Sequence, residues 1–288
     1  MKADEDMQEI CKKNKVVMVE TSVRVSDGVD LTLFDFVPED CDEKAPVLIF
    51  VAGWVSLIKG WRDVLKVVVP DYRILYVETR EKKSALLPKG RYPLFTVERM
   101  AMDIDEVVRA ALNDATPFYL AGSSLGSTVI LHYLSQPDYR APEKSILISP
   151  IGEVHFPFWA KIIINYFPPS AYVVIKHLVI WYLNTFRVDK KNEPEQAEKY
   201  KGTVGSAEPK RLQANARALF DYAVWDKMPS IKSPVVIVGA ETDKLHGLET
   251  LEKMVSLIPD ASLEIMESNK ATHSEKAGML MAGYLNGK

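Results

Sequence analysis

The first fifteen residues, MKADEDMQEICKKNK, are dominated by charge and hold no apolar run of signal-peptide length. They read as a solvated arm or a short helix. From Val16 to Phe36 apolar and polar positions alternate, which predicts two short strands. The break between them contains Asp27-Gly28, a strong hairpin signal. After a polar loop the pattern changes to continuous apolar runs: VLIFVAG, YRILYVET, PFYLAG, KSILISP and SPVVIVGA. Runs of this length suit strands covered on both faces of a parallel sheet.

Helical periods separate these runs. Val97, Met100, Ile104, Val107, Val108 and Ala111 fall on one face of a predicted helix. GSTVILHYLSQ follows the third of the runs, and GLETLEKMVSLI follows the last. Strand alternating with helix predicts an α/β fold with a mainly parallel sheet and right-handed crossovers. The alternation stops between Ile151 and Lys227. There a strongly apolar stretch, broken by Pro168-Pro169, is followed by a polar one. The expected organisation is an N-terminal arm (residues 1–15), a core built from residues 16–150 and 228–288, and a helical cap inserted at 151–227. No uncharged run in the insertion reaches the length of a bilayer span.

Composition narrows the function classes only a little. With 288 residues, 47% hydrophobic and a formal charge of −3, the chain gives no electrostatic reason to expect nucleic acid as a partner. Cys11 and Cys41 have no metal-ligand spacing, and a reducing cytoplasm is the default expectation. No dinucleotide fingerprint or phosphate loop is present, so no cofactor and no metal is expected.

The chemistry is concentrated in LAGSSLGST. Gly122-Ser123-Ser124-Leu125-Gly126 fits G-x-S-x-G at a predicted strand-to-helix junction, the context that this motif requires. A tight turn there holds the middle residue in a strained conformation, and small neighbours let helix and strand approach. Ser124 rather than Ser123 has a glycine two residues away on each side. A pair of helix-capping serines is the plainer alternative.

A nucleophilic serine needs a base and an acid. His132 lies within the helix that follows the motif, His155 and His177 lie in the insertion, and His246 shares a loop with the expected acid. His273, in the loop after LEIM and before a last helix, is the expected base. For the acid, Asp243 is favoured over Glu241; both stand just past the VVIVGA run. Backbone N–H groups of Leu125 and of Trp54, after Gly53, are the expected oxyanion donors. Phe158, Trp159, Ile163 and Trp181 in the insertion are candidate substrate contacts, although apolar side chains there could equally form the insertion's own core.

Taken together, these residues resemble the α/β-hydrolase family from about Thr21 onward, with Ser124 at the nucleophile elbow. The resemblance implies a Ser124–Asp243–His273 triad and a helical cap after the sixth strand. It also implies a hydrolase of carboxylic esters carrying an apolar acyl chain. A thioesterase, a cofactor-free perhydrolase or haloperoxidase, and a non-catalytic ligand-binding protein on the same fold are the alternatives. Serine at 124 argues against the dehalogenase and epoxide hydrolase chemistries, which place aspartate there. Two segments depart from the family. Its histidine-glycine oxyanion pair reads Ala52-Gly53, and its Asp-x-Arg-Gly-His-Gly segment reads Glu78-Thr79-Arg80-Glu81-Lys82-Lys83. The expected partner is a small-molecule ester, with peripheral lipid contact through the apolar helix faces of the cap as a further expectation.

Overall fold

The computed structural model describes residues 5–42, 44–182, 185, 202, 204, 205, 207–243 and 246–287. Most of the polar stretch expected to end the insertion lies outside these residues. Eight strands form one sheet in the order β1-β2-β4-β3-β5-β6-β7-β8. β1 (Val16–Arg24) and β2 (Asp30–Pro38) are the predicted hairpin, antiparallel to each other, with Gly28 at φ 87° in the turn. β2 also pairs antiparallel with β4 (Ile74–Val77). From β4 onward every pairing is parallel, through β3 (Val47–Val51), β5 (Phe118–Ser123), β6 (Lys144–Ile148), β7 (Val235–Ala240) and β8 (Ala261–Met266). The mainly parallel α/β sheet expected from the apolar runs is therefore present.

The apolar runs are continuous because both faces of the sheet are covered. In β3, Val47, Ile49 and Val51 enter one core while Leu48 and Phe50 enter the other. α3 (Val97–Ala111) and α4 (Leu125–Leu134) pack on the first face. α1 (Glu5–Lys13) and α2 (Arg62–Val68) pack on the second. α1 is not a solvated arm. Met7 and Cys11, one helical turn apart, are buried, while Glu9, Lys12 and Lys13 are exposed. α3 begins at Thr96, whose hydroxyl accepts a hydrogen bond from the Arg99 N–H at 3.2 Å.

Between β6 and β7 lie α5 (Phe158–Tyr166), α6 (Tyr172–Tyr182) and α7 (Pro209–Ala218). α8 (Leu248–Leu257) and α9 (Glu275–Leu285) follow β7 and β8. Among the described residues no helix is long and apolar enough to cross a membrane.

In the charged segment at residues 78–83, Glu78 to Lys82 are buried and Lys83 is exposed. Arg80 is fully buried and bonds to Asp103 at 2.6 Å, Asp27 at 2.7 Å and the Leu94 carbonyl at 2.7 Å. It thereby ties the β1–β2 turn to α3. Lys82, also buried, bonds to Glu78 at 3.0 Å. Buried charges persist only when paired in this way.

Candidate active site

The two glycines of the motif are dictated by close approach. A Cβ on Gly126 would collide with the carbonyl oxygens of Val51 and Ala52, the latter at 2.6 Å. On Gly122 it would meet Ile130 Cδ1 at 2.7 Å and the Val51 oxygen at 2.9 Å. β5 and α4 can therefore stay this close to β3 only without side chains at those positions. Ser124, between them, has φ 48° and ψ −119°, a conformation that non-glycine residues rarely adopt. Such strain persists where the surrounding structure over-determines it, and it concentrates at functional sites. Its N–H donates to the Ile148 carbonyl at 2.8 Å, and its side chain stands before the first turn of α4.

Ser124 Oγ lies 3.1 Å from Nε2 of His246. Nδ1 of His246 lies 2.8 Å from Oδ2 of Asp243. The carboxylate is held further by the His246 backbone N–H at 3.1 Å and by the Ser149 hydroxyl at 3.2 Å. Asp243 and His246 are both buried. The tautomer that satisfies both ring bonds carries its proton on Nδ1, which leaves the Nε2 lone pair facing the serine hydroxyl. Glu241, the alternative acid, is exposed.

The base expected from the sequence was His273, and the structure gives the hydrogen bond to His246 instead. His273 lies in a short turn after β8, with Nδ1 3.2 Å from the Asn269 carbonyl and its ring centroid 4.3 Å from that of Trp61. It lines the same cavity as Ser124. Sharing a loop with the acid does not disqualify His246. The Asp243 carboxylate accepts the N–H three residues ahead, which folds the loop back and points both side chains toward Ser124. An Asp-x-x-His spacing just past a buried strand was the available signal. His132 bonds to the Tyr222 hydroxyl at 3.1 Å, on the far part of α4.

The Gly53-Trp54 segment, expected to supply an oxyanion donor, abuts the serine. The Gly53 N–H donates to Ser123 Oγ at 3.0 Å, so the second serine of the motif braces this loop. Among the described residues, the N–H groups of Trp54 and Leu125 donate to no protein acceptor. Val55 follows at φ 52°, a strained value for a β-branched residue. Its N–H donates to Glu81 Oε1 at 3.3 Å, and the Thr79 hydroxyl donates to the same oxygen at 2.8 Å. Burial pushes the Glu81 carboxyl above the usual carboxylate range, against Lys82 and these hydrogen bonds.

A cavity of about 410 Å³ opens above Ser124. Trp54, Leu125, His246 and His273 line it on the sheet side; Trp159, Ile163, Phe167, Tyr172 and Leu212 line it from α5 to α7. Of the four candidate substrate contacts, Trp159 and Ile163 reach the cavity. Phe158 and Trp181 do not line it, and they are 80% and 55% exposed. Helical periodicity turns them outward from their cavity-facing neighbours. Among the described residues no group of side chains is arranged to hold a metal ion.

Comparison with solved structures identifies this architecture as the α/β-hydrolase fold. An esterase from Thermogutta terrifontis superposes with a TM-score of 0.71 at 18% identity, over 94% of this chain and 98% of that one. An esterase from Exiguobacterium antarcticum gives 0.72 at 20% identity, over 93% and 100%. An enol-lactonase from Burkholderia xenovorans gives 0.74 at 15% identity, over 92% and 98%. At these identities the likeness establishes the fold. No protein-family model matches the chain, and no curated protein sequence does.

Proposed function

We propose that the protein is a serine hydrolase of carboxylic esters. The observation that carries this reading is the relay from Ser124 through His246 to Asp243, at 3.1 and 2.8 Å, ending on a serine held at positive φ. His246 takes the hydroxyl proton as Ser124 Oγ bonds to the acyl carbon, then returns it to the departing alcohol. Water, deprotonated by the same imidazole, releases the acyl group. Asp243 holds the ring and stabilises its cationic form. The N–H groups of Trp54 and Leu125 receive the oxyanion, at roughly 3 kcal/mol per donor.

The cavity volume falls within the usual range for small-molecule sites, and its lining is chiefly apolar. This supports an acyl chain as the buried part of the substrate, with α5 to α7 acting as a cap in the 151–227 insertion. The esterases and the enol-lactonase among the similar structures are in keeping with an acyl-transfer reaction.

A second reading keeps His273 as the base. It rests on the place of His273 in the same cavity, at the end of β8, where the family resemblance puts that residue.

Labelling with a fluorophosphonate probe, followed by turnover of nitrophenyl esters and acyl thioesters of increasing chain length, tests the function. Labelling at Ser124 with ester turnover rising beyond acetate is the expected result. An unlabelled, folded protein would leave the fold as a binding scaffold, and faster thioester turnover would move the substrate class.

A further inference from the structure

α5 and α6 carry apolar side chains on both sides. One side lines the cavity; the other faces out. On α5, Phe158 and Tyr166 are each 80% exposed and Ile162 is exposed as well; on α6, Val174 is 74% exposed and Leu178 is exposed too. No residue of α5 is fully buried. Isolated exposed apolar residues are ordinary, but a cluster of this kind on consecutive helices marks an interaction surface.

Its electrostatic setting is one-sided. The chain has 39 acidic side chains in 288 residues, about one in seven, yet none falls between Phe156 and Phe186. The basic side chains of that stretch are Lys161, Lys176 and His177. Arg217 of α7 adds a further cation, bonded to the Ile164 and Asn165 carbonyls at the end of α5. In a protein of net charge −3, every charged side chain between Phe156 and Phe186 is thus basic.

We propose that the outer surface of α5 and α6 docks on an anionic lipid bilayer. Aromatic and aliphatic side chains enter the headgroup boundary while nearby cations meet the lipid phosphates. The competing occupants fit less well. A second copy would bring two like-charged surfaces together. The residues that follow in the chain, 187–201, offer only Val188, Pro194, Ala197 and Tyr200 as apolar groups, too few to cover this surface. Docking there would set the cavity beside the lipid, since Trp159 and Phe167 belong to the same helical layer and line it. The proposal does not depend on the catalytic reading.

Co-sedimentation of the full chain with vesicles tests it. One set contains phosphatidylglycerol with phosphatidylcholine, the other phosphatidylcholine alone. Binding to the anionic set at low salt, weakening as salt is raised, is expected. Tyr166→Glu/Val174→Glu should reduce it by about tenfold or more, and Lys161→Glu should weaken it as well. Neither variant should change the circular dichroism spectrum, a check that is independent of enzymatic turnover. Equal binding to both vesicle sets, no binding to either, or binding unchanged in the double variant would each overturn the proposal. So would concentration-dependent self-association, without lipid, that the double variant abolishes.

Discussion

Ser124 Oγ is hydrogen-bonded to Nε2 of His246, an imidazole only three residues from the carboxylate that orients it. His246 and Asp243 therefore sit on one loop, whereas His273 is held separately, on Asn269 and against Trp61. His246→Ala is expected to lower kcat/KM on a soluble nitrophenyl ester by roughly 10²–10⁴-fold, the usual worth of a positioned general base. His273→Ala should leave kcat close to wild type and act mainly through KM, since that ring lines the cavity. Steady-state kinetics of both variants decide the matter; a reversed outcome would assign the base to His273.

Gly126 lies against the last carbonyls of β3. Gly126→Ala forces α4 away from that strand, and overpacking of this kind costs about 1–3 kcal/mol or more. Activity should fall with it, because Ser124 rides on the same turn. Gly283, in α9, has open space around its Cβ position, so Gly283→Ala should instead stabilise by up to about 1 kcal/mol. Urea unfolding of the two variants measures the contrast.

Glu81 and Asp27 should respond to pH with opposite signs. Burial raises the Glu81 carboxyl in the folded state, so its contribution to stability is full below the unfolded value of 4.5 and is lost as pH rises through the folded value. Glu81→Gln mimics the protonated acid and keeps an acceptor for the Val55 N–H. It should match wild type near pH 4 and become the more stable protein toward pH 7. At Asp27 burial opposes ionisation, but Arg80 and Arg99 outweigh it and lower the carboxyl below its unfolded value of 3.8. That contribution is present above 3.8 and lost as pH falls, so the penalty of Asp27→Asn should shrink in acid. Thermal unfolding from about pH 2 to about pH 7 reads both signs.

Strand and helix content was legible because burial on two faces writes continuous apolar runs, and β3, β5 and β7 carry them. The elbow was legible for a related reason. Gly122 and Gly126 are imposed by close packing against the end of β3 and, at Gly122, Ile130, a constraint that shows in residue type alone. α1 was read only in part, since Met7 and Cys11 are two apolar positions among charges and become a buried stripe only once a core is there to receive them.

By itself, then, the amino-acid order determined the alternation of strands and helices, the corner at Ser124 and a carboxylate just past the end of β7, all legible in spacings of a few residues. Tertiary structure decided which imidazole meets Ser124, that Glu78 to Lys82 are buried with Glu81 bonded to Val55, and which side of α5 faces the cavity. Those outcomes depend on groups distant in the chain competing for the same space and the same hydrogen bonds, and a linear pattern carries no record of that competition.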